Sequence, residues 1–166
     1  MPTEGGGGMG WFSKPKAAAP DRLVMDMHAD GYDGAYETSV RGEAPHRAHL
    51  VSVLAKHKRS RGYAVGMVPV RGFIIPLLDD ERGQVAVEIE GVQVGMVSDQ
   101  WVKLFGHTYA TAARAASKPV AFAVQAAICW DERRGDPLKD SSIPVGVRLD
   151  LEDQAVLDDL MLEDYG

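Results

Sequence analysis

The chain has 166 residues and a mass of 18.0 kDa, with 45% hydrophobic and 25% charged residues. Those values suit one domain with tails and exclude a wholly disordered, collagen-like or coiled-coil chain. The formal net charge is -6, and Cys129 is the single cysteine, so neither an internal disulfide nor a cysteine zinc cluster can form.

No apolar run approaches the ~20 residues that span a bilayer. The opening MPTEGGGGMGWFSKPK has neither the apolar stretch nor the cleavage site of a secretory signal. The expectation is a cytoplasmic protein with no membrane partner. Residues 1–35, with Gly5 to Gly8, Lys14-Pro15-Lys16 and Ala17 to Pro20 at the front, read as a flexible leader too poor in patterned apolar residues to offset the entropy of ordering.

Tyr36, Thr38 and Val40 alternate with Glu37, Ser39 and Arg41, the pattern of a half-buried strand that Gly42 ends. Pro45 suits a first helical turn, and Leu50, Val53, Leu54 and His57 follow at helical spacing. This predicts a helix of about four turns running into the basic run Lys56 to Arg61. Tyr63 to Val70 and Phe73 to Leu78 read as two strands separated by Arg71-Gly72, with Pro69 and Pro76 at edge positions or bends. Val85 to Glu90 and Val92 to Met96 form a hairpin about Gly91. Ser98 caps a second helix reaching Ala116, interrupted in its middle by Gly106; Val120 to Trp130 and Val145 to Leu151 then supply two more strands.

This order lacks the β-α-β-α alternation of a doubly wound sheet. It predicts a small α+β domain over 36–152: an OB-like, partly closed β-barrel of about six strands with two helices, closure hiding the strand edges.

Charge is unevenly spread. Asp150 to Gly166 holds seven acids and no Lys or Arg, whereas Arg41 to Arg71 carries seven bases (Arg41, Arg47, Lys56, Lys58, Arg59, Arg61 and Arg71) against Glu43. Concentrated positive charge is compatible with a polyanion partner despite an acidic total, and equally with a solvated helix face. In 153–166, Val156, Leu157, Leu160, Met161 and Tyr165 recur at helical spacing among acids. This is a short acidic amphipathic tail that needs a surface to fold on, either the basic region of its own chain or a protein partner.

The succession Val40-Arg41-Gly42-Glu43-Ala44-Pro45-His46-Arg47-Ala48-His49-Leu50, then Gly83-Gln84-Val85-Ala86-Val87-Glu88-Ile89-Glu90-Gly91, then Val94-Gly95-Met96-Val97-Ser98 resembles the HIRAN domain over roughly residues 36 to 130. In that family a "G-E" strand end precedes a helix, "A-V-x-V-x-I-x-G" forms a hairpin arm, and "V-G-Y-L-S" leads into the second helix. The resemblance implies an OB-like module, found in remodelling-type helicases and as small bacterial or phage-associated proteins, that in the helicases engages single-stranded DNA at its 3′ end. The family turn "D-N-P-Y-D-P-N-A-V" here reads Leu78-Asp79-Asp80-Glu81-Arg82-Gly83-Gln84-Val85. Aligned on Val85, Glu81 falls at the family Asp and Asp80 at its Tyr, and His46 takes the place of an aromatic.

No catalytic motif emerges from the chain. His46 and His49 share a helix face but lack a third ligand. His57 sits on the apolar stripe, Asp79, Asp80 and Glu81 read as a solvated turn, and there is no P-loop, nucleophile elbow or dinucleotide fingerprint. Cys129 reads as an inert apolar residue. The sequence therefore predicts a non-enzyme without cofactor or metal. Its function is read as binding single-stranded DNA or other nucleic acid through Arg41, His46, Arg47, Lys56, Lys58, Arg59, Arg61, Tyr63 and Glu81, with Arg41 and the basic run on phosphates, Tyr63 and His46 as stacking surfaces. The alternative is a protein-interaction or assembly component that uses the fold as a scaffold and its tails as contacts.

Overall fold

The computed structural model describes residues 21–58 and 66–152, with Met27 and Lys58 described by their backbone alone. The strands are β1 (Leu23–His28), β2 (Thr38–Arg41), β3 (Met67–Pro76), β4 (Val85–Ile89), β5 (Val92–Val97), β6 (Val120–Cys129) and β7 (Gly146–Leu149). Helix α1 (Arg47–Lys58) follows a 3-10 turn at Ala44–His46. Helix α2 (Asp99–Trp101) passes through a π-helical turn at Val102–Gly106 into α3 (His107–Ala115).

The sheet order β1-β6-β3-β4-β5-β2-β7, with β7 returning to pair with β6, closes six strands into an antiparallel barrel and leaves β1 outside it. This is the OB-like α+β barrel with two helical segments that the pattern predicts. Closure is possible because β2 is shared: Thr38 and Ser39 pair with Leu149 and Arg148 of β7, while Val40 and Arg41 pair with Val97 and Met96 of β5. The same device recurs on β6. Its second half pairs with β7 from Ala126↔Leu149 to Cys129↔Gly146, and its first half pairs in parallel with β1 from Leu23↔Val120 onward.

The interior is filled by alternate residues of these strands. Phe122, Val124, Ala126 and Ile128 of β6 meet Ile74, Val87, Ile89 and Leu149, and α1 adds Leu50, Val53 and Leu54. Tyr109 and Trp101 extend the core beneath α2 and α3, with ring centroids of Tyr109 and Phe122 4.9 Å apart and of Trp101 and Tyr109 5.1 Å apart.

Three expectations are corrected. Strand β1 lies inside the segment read as leader, ahead of the boundary set at residue 36. Its residues LVMDMH carry no clean alternation because neither face is fully covered: Leu23 and Val24, consecutive and so on opposite faces, are each 40% exposed. What holds the strand is tertiary: parallel pairing with β6, Arg22 bonded to Glu88 at 2.7 Å, and the Arg22 guanidinium 4.8 Å from the Phe73 ring centre.

The two strands expected either side of Arg71-Gly72 are one, β3. Gly72 is there for close approach, since a Cβ would stand 3.3 Å from the Glu88 carbonyl oxygen and 3.4 Å from the Ala126 Cβ. Pro69 is tolerated because β4 pairs only with Phe73 to Pro76. The third correction concerns His57, which is half-exposed with its Nε2 3.2 Å from Glu90 Oε2, an ion-pair geometry outside the packed stripe.

The leader residues 1–20, Arg59, Arg61, Tyr63 and the tail 153–166 lie outside the described residues.

Candidate nucleic-acid interface and adjoining cleft

The β4–β5 hairpin turns through Glu90 (φ 47°) and Gly91 (φ 80°), two residues of positive φ between the paired Ile89 and Val92. That is the turn whose twist matches the strands, and it places a non-glycine residue in the left-handed region. The position aims the Glu90 carboxylate at α1, where it pairs with Lys56 and His57. Burial pushes the Glu90 carboxyl up, but these two partners hold it below the usual carboxylate range. The Lys56 charge is thus met within the chain.

Arg47 is also committed internally. Its Nε donates to the Ile143 carbonyl at 2.9 Å and its Nη2 to the carbonyls of Pro137 and Asp140 at 3.3 and 3.2 Å, a fork that ties the polar loop after β6 to α1. His46 is half-buried in the 3-10 turn, and His49 Nε2 lies 2.8 Å from the Ile89 carbonyl oxygen. No group of three His, Cys, Asp or Glu able to hold a metal occurs among the described residues. Cys129 is partly buried in β6, and burial raises its thiol pKa.

Of the sequence-predicted site residues, Arg41 and the turn containing Glu81 come together. Arg41 ends β2 and donates through Nη2 to Asp99 Oδ1 at 3.0 Å. Gln84, 9% exposed at the neck of the turn, has its amide oxygen 2.8 Å from Arg41 Nη2 and its nitrogen 3.3 Å from Asp80 Oδ2 in the orientation that satisfies both. The turn itself is closed by Asp80, whose Oδ1 accepts from the Arg82 N–H at 2.9 Å. Asp80 thus joins this cluster, while its neighbour Glu81 is exposed at the turn. Gln84 and Asp99 were missed because neither type at a turn neck or a helix start stands out without the barrel end that joins them.

Beside Asp99, across the start of α2, lies a cleft of about 140 Å³ lined by Glu37, Thr38, Ser39, Ser98, Gln100, Trp101, Leu104, Phe105 and Glu152. Ser98 caps the helix, its Oγ accepting from the Trp101 backbone N–H at 3.5 Å. The π-helical turn inserts an extra residue here, so Leu104 and Phe105 swing toward β2, a distortion that recurs at functional sites. Trp101 is 3% exposed, and its indole Nε1 has no hydrogen-bond partner among the described residues.

Glu152 forms the far wall. Tyr109 donates its hydroxyl to both Glu152 oxygens at 3.3 and 3.2 Å, and His28 Nε2 lies 3.2 Å from Glu152 Oε1. Burial pushes the Glu152 carboxyl up, but contact with His28 and Tyr109 holds it below its ordinary range, while burial beside Glu152 raises the Tyr109 hydroxyl. His28 reaches this wall because β1 lies against β6, a pairing that no local pattern announces.

The loop joining β1 to β2 is fastened by Asp150, which is 2% exposed. Its Oδ2 accepts from the Tyr32 N–H at 2.7 Å and its Oδ1 from the Asp33 N–H at 3.0 Å, with Gly34 N–H between the two oxygens at 3.1 and 3.0 Å. Burial pushes this carboxyl up as well, but the backbone donors keep it below the usual value.

No protein-family model, curated protein or solved structure matches this chain. Among the described residues, no helix is long and apolar enough to cross a membrane.

Proposed function

We propose that the protein is a non-catalytic, HIRAN-like accessory module that binds nucleic acid, with single-stranded DNA ends as the preferred ligand. The observation that carries this reading is the junction of Arg41, Gln84 and Asp80 at one end of the closed barrel. A cation for phosphate and a carboxylate for a terminal hydroxyl stand there side by side, joined by the buried Gln84 amide that bonds to both. Arg41 leaves Asp99 for a phosphate at little cost, since the pair is surface-exposed, at 44% and 74% for the two side chains. Lys58, Arg59 and Arg61 of the basic run supply further phosphate contacts, and Tyr63 and His46 serve as stacking surfaces.

The test is a polarisation titration of a fluorescent single-stranded oligonucleotide with a free 3′ hydroxyl, against the same strand blocked by a 3′ phosphate. The free end binds more tightly, and Arg41→Ala weakens it. Replacing Lys58, Arg59 and Arg61 with Ala flattens the salt dependence by fewer released counterions. Equal binding of both strands refutes end recognition, and no binding at low salt refutes the nucleic-acid reading.

One observation favours a second reading, a protein-interaction or assembly component: Arg47, one of the cations read as phosphate contacts, is bonded to three loop carbonyls of its own chain. An acidic tail over 153–166 that captures a protein, or that covers the basic surface of its own chain, belongs to this reading. Deleting residues 153–166 and repeating the titration raises low-salt DNA affinity if the tail competes for the basic surface, and leaves it unchanged if it does not.

A further inference from the structure

The cleft between β2 and the π-helical turn has a one-signed lining. Glu37 and Glu152 contribute carboxylates, Ser39, Ser98 and Gln100 contribute neutral polar groups, and none of its lining residues is Lys, Arg or His. An anion is repelled from such a site. Its other wall is apolar and aromatic: Leu104 is 38% exposed, and the Trp101 and Phe105 rings stand 5.8 Å apart, tilted by 40°. Carboxylates facing an aromatic and aliphatic wall form the chemistry that receives a cation on an apolar stem, through charge, cation–π attraction and burial of methylenes.

We infer that this cleft receives a lysine side chain from a partner protein, its ammonium directed at Glu152 and Glu37 and its stem lying along Leu104 and Phe105. An ammonium fits better than a guanidinium. Both Glu152 oxygens already accept from the Tyr109 hydroxyl and Oε1 also faces His28, so Glu152, the inner of the two carboxylates, offers no free pair of oxygens to a bidentate fork, while a point charge needs only one lone pair. A side chain borne on a peptide suits the opening. Glu37, Ser39, Gln100 and Leu104 are exposed at the rim, where the stem of a lysine continues into its main chain and a free amine has nothing further to contact. This site concerns a protein ligand and does not depend on the nucleic-acid reading.

The experiment uses the full ¹³C,¹⁵N-labelled chain and follows the indole N–H of Trp101 and the methyl groups of Leu104 during titration with the peptide acetyl-Gly-Lys-Gly-amide. The same peptide with an acetylated lysine, and n-butylammonium chloride, serve as comparisons. Saturable shifts at both residues are expected with the lysine peptide. Acetylation, which removes the charge, weakens binding at least roughly tenfold, about 1.4 kcal/mol.

Glu37→Gln and Leu104→Ala, both at exposed positions, each weaken the lysine peptide while leaving the thermal midpoint in place. Glu152→Gln weakens it further, and its folding is checked by the dispersion of the remaining resonances. No saturable shift, or equal binding of the acetylated peptide, overturns the proposal. Butylammonium binding as tightly as the peptide overturns the protein source and leaves a site for a small amine. Oligonucleotide binding by Glu37→Gln stays at the level of the unaltered chain, which separates failure here from failure at Arg41.

Discussion

Asp150 illustrates how one side chain can organise a loop. Three successive backbone N–H groups, from Tyr32, Asp33 and Gly34, converge on a carboxylate that is 2% exposed. Asp150→Asn replaces an acceptor oxygen with an NH₂ that faces donors, and the expected cost at neutral pH is about 2 kcal/mol in urea unfolding. The pH dependence has a definite sign. The folded pKa of Asp150 is lowered, so its contribution is complete above the unfolded value near ~3.9 and is lost as pH falls through the folded value. The deficit of Asp150→Asn therefore shrinks below about pH 4; a deficit equal at pH 7 and pH 3 contradicts the assignment. Gly95 is constrained by space: a Cβ there would stand 2.6 Å from the Arg41 carbonyl oxygen and 2.8 Å from Val40 Cγ1. Gly95→Ala forces β2 from β5, costs about 1–3 kcal/mol and, by moving Arg41, weakens oligonucleotide binding beyond the stability loss.

Between strands and helices, the connections carry the specificity. The segment from Asp131 to Val145 contains no strand and one 3-10 turn at Glu132–Arg134, yet it is held in place because Arg47 bonds to carbonyls of Pro137, Asp140 and Ile143. Arg47→Ala releases those acceptors to solvent. Limited proteolysis is expected to cut this loop first in the variant, with hydrogen exchange rising in the loop and little in β3 or β6. Arg47→Lys rescues poorly, since an ammonium cannot span the same carbonyls. Unchanged cleavage would show that Ile143, 1% exposed, anchors the loop alone. The helix from Ser98 onward behaves differently: its π-turn aims Leu104 and Phe105 at β2 and so makes the cleft.

For the molecule as a whole, the position of β1 decides where the folded unit begins. A chain truncated to start at residue 36 loses pairing along Leu23 to His28, the Arg22–Glu88 bond and the His28–Glu152 contact together. It is expected to unfold at a lower temperature than a chain starting at residue 21, each kcal/mol lost lowering the midpoint by about 3 to 5 °C. Differential scanning calorimetry of the two chains checks this, and coincident midpoints would make β1 an ornament of the barrel. At this end of the barrel Arg41 pairs with Asp99 at the start of α2, and the cleft lined by Glu37 and Glu152 opens across that helix start.

The sequence by itself determined the elements whose stabilising pattern is local. The alternation of Val85, Val87 and Ile89 around Glu90-Gly91 yields the hairpin, and the spacing of Leu50, Val53 and Leu54 yields α1. It also determined the barrel class, because six short strands of mixed order have few other ways to hide their edges. What only the tertiary structure decided rests on partners far apart in the chain. β1 exists through β6, Gly72 continues a strand because Glu88 and Ala126 crowd it, and Arg47 fastens the loop after β6 through the carbonyls of Pro137, Asp140 and Ile143. Asp80 joins Arg41 because Gln84 bridges them. The cleft required β2, the π-turn and Glu152 to meet. Periodicity records which face of an element is apolar, whereas a site arises from which faces the closed barrel brings together, and that depends on contacts between residues tens of positions apart.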